Sequence, residues 1–332
     1  MVKFIVLGDL HLRNQNPINR KDNIFEAQMN KLNQTAEFAK ENGIKYIMQV
    51  GDFFDSYSPS KEVLNRTVGW LFDKQVDQGL NFVLVYGQHD LYMRSYRSVE
   101  RTALDLLYKA GLVEIVGKEP LVLEKEVVVY GMSFGEEIPK VCLEYANLFS
   151  ILLSHEPILT PKQLQKDEVF CSTVRKINRE KGKIFDLFIN GDWHYPYCNS
   201  RCEGGLAVLN PGAVTRLSLG DRERLKNSEG KIMRPGFELV IIDKKEIKFE
   251  RIPFDCSDWE EIFVEREIIG LEKTNIRDWS FKDFLDELKK GVKGEEGISF
   301  YDNVMKWMDT EKNEEVKEIV MEALKYAKEK GN

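Results

Sequence analysis

Phe4-Ile5-Val6-Leu7-Gly8-Asp9-Leu10-His11 decides the fold: a short, bulky apolar run breaks at glycine and delivers a carboxylate and an imidazole two residues apart. A run this short, bounded by a breaker, reads as a buried strand. The texture recurs at residues 46–50 before Gly51-Asp52, at 82–86 before Gly87-Gln88-His89-Asp90, at 149–153 before Ser154-His155, and at 185–189 before Asn190-Gly191-Asp192-Trp193-His194. Helical patterns lie between the first three runs, over 24–42 closed by Gly43 and over 62–78 closed by Gly79. Further strands are expected at 127–130, 206–209, 238–242 and 247–252. The expectation is an α/β fold, a two-sheet mixed β core flanked by helices with a small C-terminal helical appendage. Ligands in such folds bind beyond the carboxyl ends of strands, where all five polar clusters fall.

The chain of 332 residues is 42% hydrophobic and 31% charged, which excludes a disordered or collagen-like chain. No apolar run approaches the roughly 18 residues of a membrane helix, so the expected protein is soluble, cytoplasmic and free of membrane contact. Five cysteines without dense spacing fit reduced thiols. The formal net charge of −7 is local: residues 258–332 carry 20 acidic and 13 basic side chains, while the rest balances. A neutral body can still present basic patches to nucleic acid, because steering depends on local fields. The texture change near Cys256 divides the chain into a body over 1–257, an abbreviated segment over 258–297 and a helical segment over 298–332.

All 4 histidines sit in the strand-end clusters. Imidazoles and carboxylates at one mouth form the mixed nitrogen and oxygen set that manganese, iron or zinc prefers. Asp9 and His11 are expected on one side of an extended strand end. Asp52 follows a second strand and is expected to bridge two ions with its two oxygens.

In order and spacing, Gly8-Asp9-Leu10-His11, Gly51-Asp52-Phe53-Phe54-Asp55, Gly87-Gln88-His89-Asp90, Ser154-His155-Glu156 and Gly191-Asp192-Trp193-His194 resemble the motif series of the calcineurin-like metallophosphoesterases. Within them the chain is most similar to the MRE-eleven/SbcD DNA-repair nucleases, closest to phage-type recombination endonuclease subunits. Gly51 to Asp55 and the Asn210-Pro211-Gly212-Ala213 turn are typical of that branch. The resemblance implies two divalent ions, manganese first and magnesium as the other candidate. Asp9, His11 and His194 would hold one ion, Asp52 would bridge, and Gln88, His155 and Asp192 would hold the second. His89 would face the scissile phosphate without binding metal, with Asp90 behind it fixing its tautomer. Two positions depart from the family, which commonly has Asn at Gln88 and His at Asp192. Both fall on the second ion, so a retuned two-metal site stands beside a weakened one-metal site.

For substrate contact, Arg94, Arg97 and Arg101 follow His89 at helical spacing and are expected near one face. A second basic cluster runs over 175–183, and a third contains Arg216 and Arg222. The implied function is a metal-dependent DNA nuclease, a 3′→5′ exonuclease on duplex and an endonuclease on single strands. The family resemblance places it in an SMC-like ATPase complex for DNA end processing, repair and recombination. It implies a homodimer, a grip on the coiled-coil ATPase through the C-terminal helices, and a nucleoid-associated place in a bacterial or phage-infected cell. Two alternatives stay open: a metallophosphoesterase acting on a phosphoprotein or small nucleotide, and a catalytically weakened DNA-binding scaffold subunit.

Overall fold

Along β1 (Val2–Leu7) the side chains alternate between two cores, and that alternation sets the architecture. Ile5 and Leu7 pack with helix residues Phe25, Met29, Leu32 and Leu71. Phe4 and Val6 face the opposite way and meet Val127, Val129, Ile151, Leu153 and Ile189 of a second sheet. Strands buried on both faces read as continuous apolar runs, which is why five such runs stood out. Each fully buried aliphatic or aromatic side chain contributes about 1.5–3 kcal/mol relative to exposure.

The computed structural model describes residues 1–156, 185–199, 207–218 and 232–264, less Ile18, Lys118 and Lys245, together with Arg222 and Leu225. Helix α1 (Ile24–Glu41) starts on Asn23, whose side chain accepts from the Phe25 and Glu26 amides. Helix α2 (Lys61–Gln78) starts on Ser60 and ends on Gly79 in the left-handed conformation, the stop that the glycine predicts. After β2 (Tyr46–Gln49) and β3 (Asn81–Leu84), α3 (Ala103–Lys109) leads to β4 (Glu114–Ile115). The second sheet is built from β5 (Leu121–Leu123), β6 (Val127–Met132), β7 (Phe149–Ser154), β8 (Leu187–Asn190), β9 (Tyr197–Asn199) and β10 (Ala207–Asn210). β11 (Gly236–Asp243) and β12 (Glu246–Pro253) return to the first sheet, before the short helix α4 (Trp259–Ile262).

The sheet orders are β12-β11-β1-β2-β3-β4 and β5-β6-β7-β8-β10-β9. β1 to β4 run parallel, with β11 antiparallel to β1. β6, β7, β8 and β10 run parallel, edged by antiparallel β5 and β9. Both sheets are therefore mixed, as expected, and the parallel strands β1, β2, β3, β7 and β8 each lead into one of the five polar clusters.

The chain divides after Glu265. Within the first unit, Trp259, Ile262 and Phe263 pack together with Leu225, and Lys21 and Val264 donate backbone bonds across to Ile262 and Asn19 at 2.8 Å each. Residues 258–264 thus lie against the body. The basic cluster at 175–183 and the helical segment 298–332 fall outside the described residues, as does most of 258–297. Among the described residues no helix is long and apolar enough to cross a membrane.

Candidate metal centre

The loops after β1 and β2 are stitched together by backbone and side-chain bonds. The Leu10 and His11 amides both donate to the Asp52 carbonyl, at 3.2 and 2.9 Å. Gln49 donates to the Gly8 and Gly51 carbonyls, and Gln28 of α1 reaches the Leu10 and His11 carbonyls at 2.8 Å each. His11, Asp52 and Asp192 have left-handed backbones, φ 47°, 51° and 63°. Asp and His tolerate this region better than most residues, and such strain persists where surrounding bonds over-determine it. The extended strand end expected at Asp9 and His11 is therefore corrected: β1 stops at Leu7, and a turn held by Gln28 brings the two side chains together. At Gly87 a Cβ would strike the Asp52 amide nitrogen and Oδ1, so only glycine lets the β3 loop approach.

Asp9, His11 and His194, the donors expected for the first ion, converge, and Asp52 stands between His11 and His155. His11 Nε2 lies 3.3 Å from His194 Nε2, and His194 Nε2 lies 3.5 Å from Asp9 Oδ2. Asp52 Oδ2 lies 3.6 Å from His11 Nε2 and 3.5 Å from His155 Nε2. Donors bound at about 2.0–2.2 Å to one ion stand apart by distances of this order. Asp9 Oδ2 and His155 Nε2 are buried without a hydrogen-bond partner, and His155 Nδ1 donates to the Val50 carbonyl at 2.8 Å. That bond fixes the tautomer and turns the Nε2 lone pair into the site. Orphaned, buried, convergent donors are costly unless a cation satisfies them, so these residues fit divalent metal. The sets Asp9, His11, His194 and His11, Asp52, His89 each bring one ligand atom per residue within 4.8 Å of one another. His89, expected to face substrate without binding metal, thus lies within reach of an ion.

Asp52 turns Oδ2 between His11 and His155, while its Oδ1 accepts the His89 amide at 2.8 Å. One expectation is corrected: Asp90 does not hold the His89 ring. Its carboxylate accepts the backbone amides of Phe53, Phe54 and Gly87 at 3.2, 3.0 and 2.9 Å. The His89 ring is held instead by Asp55, whose carbonyl lies 3.0 Å from Nδ1. Asp55 is a functional residue that sequence reasoning left without a role: its carboxylate pairs with Arg13 at 3.1 Å and lies 3.6 Å from His11 Nδ1. Asn210 holds the His194 loop, donating to the Trp193 and Tyr195 carbonyls and accepting from Gly212.

Burial sets the electrostatics. Desolvation, reinforced by Asp52 and Asp192, pushes the Asp9 carboxyl well above its usual range. Desolvation likewise raises Asp52 and Asp90 to about 7 each. Desolvation lowers His11 and His155, and neighbouring imidazoles lower His11 further, so these rings are neutral and ready to coordinate. Asp9, His11, Asp52 and His155 form a buried floor, while Gln88, His89, Asp192 and His194 are half-buried at the open side.

Arg94, Arg97 and Arg101 are exposed beyond His89, but the helical face expected for them is corrected. They lie on two 3-10 turns, Tyr92–Arg94 and Tyr96–Arg101, because left-handed Met93 and Arg94 and extended Ser95 interrupt the helix. Arg216 is buried, its Nη1 donating to the Ser257 carbonyl and its guanidinium 5.6 Å from the Trp259 ring centroid. Arg222 pairs with Glu260 at 2.8 Å.

The calcineurin-like phosphoesterase pattern matches residues 2–196, more than half of the chain. The chain belongs to that family. Among curated relatives, it is 23% identical over 287 residues to the double-strand break repair protein MRE11 of Encephalitozoon cuniculi, covering 72% of this chain and 46% of that protein. It is 24% identical over 294 residues to mre-11 of Caenorhabditis elegans, covering 69% of this chain and 38% of that one. The chain thus spans less than half the length of either relative. Solved structures with a similar fold include a dimetal phosphatase from Danio rerio, TM-score 0.46 and 10% identity over 75% of this chain and 95% of that one. Another is GAP50 of Plasmodium, TM-score 0.43 and 14% identity over 76% of this chain and 84% of that one.

Proposed function

We propose that this calcineurin-like phosphoesterase is a two-metal DNA nuclease, the nuclease subunit of an SMC-like ATPase complex that processes DNA ends. The observation that carries the two-ion reading is the single Asp52 Oδ2 atom standing 3.6 and 3.5 Å from the imidazoles of His11 and His155. Asp9, His11 and His194 would hold one ion; Gln88, His155 and Asp192 the other. Divalent ions in such a site would lower the pKa of a bound water toward about 7 and neutralise the phosphate oxygens.

The chain's own groups do the rest. His89, with Nδ1–H donated to the Asp55 carbonyl, presents Nε2 at the half-buried rim for proton transfer to the leaving oxygen. Asp90 is a positioning residue, organising the Asp52 and His89 loops through three backbone amides. Arg94, Arg97 and Arg101 follow His89 in the chain, are exposed and suit a phosphate backbone.

The DNA substrate is favoured by the two curated relatives, both named as double-strand break repair proteins. The homodimer belongs to the same reading; Phe72 and Val76, exposed one turn apart on α2, offer it apolar surface. The test is incubation of the full chain and manganese with end-labelled duplex, single-stranded circles and a chromogenic phosphomonoester. DNA degradation supports the nuclease; monoester turnover alone moves the assignment to a phosphatase or small-nucleotide esterase; bound but intact DNA moves it to a scaffold. Co-purification with a coiled-coil ATPase that is lost on deleting 298–332 tests the partner.

A further inference from the structure

The donors on the two sides of Asp52 are chemically unequal. On one side stand two imidazoles, His11 and His194, with the Asp9 carboxylate. In the ligand assignment proposed above, the other position has His155 as its imidazole, together with the Asp192 carboxylate and the Gln88 amide. Gln88 Nε2 donates to Asp192 Oδ1 at 2.8 Å. This is the one orientation of the amide that binds a carboxylate, since the opposite one would face oxygen to oxygen. The bond fixes both side chains and leaves Gln88 Oε1 and Asp192 Oδ2 as the remaining donors. The buried His155 Nε2, without a hydrogen-bond partner, lies 3.5 Å from Asp52 Oδ2.

We propose that the two positions select different ions: the imidazole-rich position accepts zinc, iron or manganese, whereas the oxygen-rich position built on Gln88 and Asp192 selects manganese or magnesium over zinc. The inference deepens the two-ion reading above and rests on it. The physical basis is ligand hardness. Carboxylate and amide oxygens suit hard cations that take many oxygen ligands, and imidazole suits the borderline ions. The Gln88–Asp192 bond makes the preference structural, because neither group can be replaced without releasing the other.

The test is metal content, independent of catalysis. Chelator-stripped full-length chain is equilibrated with equal concentrations of zinc and manganese, desalted, counted by elemental analysis and examined by electron paramagnetic resonance. About one zinc and one magnetically isolated manganese per chain are expected. Two zinc ions, or two manganese ions, overturn the selectivity and leave the two-ion reading intact. A single ion, or none, under saturating metal overturns the two-ion reading and the inference with it.

Asp192→His replaces an oxygen donor by imidazole and should shift the second position toward zinc by about tenfold or more. Gln88→Met keeps the side-chain length without the amide. It should lower manganese uptake while the zinc count stays at one, with folding checked by circular dichroism. Unchanged zinc-to-manganese ratios in both folded variants overturn the proposal.

Discussion

The His89 ring is held by the backbone of Asp55, not by the carboxylate of its neighbour Asp90: Nδ1 lies 3.0 Å from the Asp55 carbonyl oxygen. A backbone acceptor defines the tautomer, Nδ1–H donated and Nε2 turned to the site, without placing another negative charge beside the substrate phosphate. His89→Ala is expected to keep manganese and DNA binding and to lose about 10²–10⁴-fold in cleavage. Calorimetry and a nuclease assay on the same preparation check this. Loss of an ion in the variant would instead make His89 a ligand, the role open to it beside His11 and Asp52.

Asp90 acts through the backbone, so its removal should register first in stability. Asp90→Ala leaves the Phe53, Phe54 and Gly87 amides without their acceptor in a buried setting. A loss of about 3 kcal/mol or more is expected, at about 1–3 kcal/mol per unsatisfied buried donor. Denaturant unfolding measures it. An unchanged midpoint with lost cleavage would restore Asp90 to a direct role at His89.

Metal binding should release protons near neutrality. Burial raises Asp52 to about 7 and lifts Asp9 well above its ordinary range, so their folded-state values lie above the unfolded ones. The stability Asp52 gives the metal-free fold is complete below about pH 4 and is lost as pH rises through about 7, and Asp9 acts in the same direction. His11 and His155 are shifted the other way, and their contribution is lost as pH falls below the ordinary imidazole value. An incoming cation displaces the carboxyl protons, so manganese affinity should climb between about pH 6 and 8. Calorimetry at pH 7 in buffers of different ionisation enthalpy should report release of about one proton or more per chain. Identical heats in all buffers would contradict the raised carboxylates.

The arginines separate into two classes. Arg97→Gln, at an exposed position, should weaken DNA binding similarly for all sequences and reduce the salt slope by about 1. Arg216→Gln should act on folding, costing about 2 kcal/mol, because the buried guanidinium bonds Ser257 and lies beside Trp259. Thermal melts and salt-dependent binding isotherms distinguish the two. A stable Arg216 variant with impaired DNA binding would reverse the assignment.

The strands and the Asp9, His11 and His194 cluster were legible because these side chains follow short apolar runs, and the runs are apolar on both faces. What stayed hidden depends on backbone groups that a side-chain pattern does not display. The Asp90 acceptor role needs amides from the β2 loop, and the Asp55 role uses a carbonyl that any residue possesses. The Arg94, Arg97 and Arg101 spacing suggested one helix, but the left-handed turn at Met93 and Arg94 is invisible to periodicity. Arg216 read as surface charge because the residue that covers it, Trp259, is remote in sequence. The two departures at Gln88 and Asp192 were legible as belonging to one ion, but the bond between their side chains was not.

Asp52 also has a mechanical meaning. It belongs to the first sheet, yet its Oδ2 is spanned by His11 from the same sheet and His155 from the opposite one. The gap across the site is therefore gauged by the thickness of the sandwich, filled at this end by Val50, Val85, Ile151 and Leu153. Close-packed cores do not yield smoothly, so a methylene added or removed among these four side chains would open or close the calliper. The apolar filling between the sheets is in that sense an adjustable spacer for the chemistry at their edge.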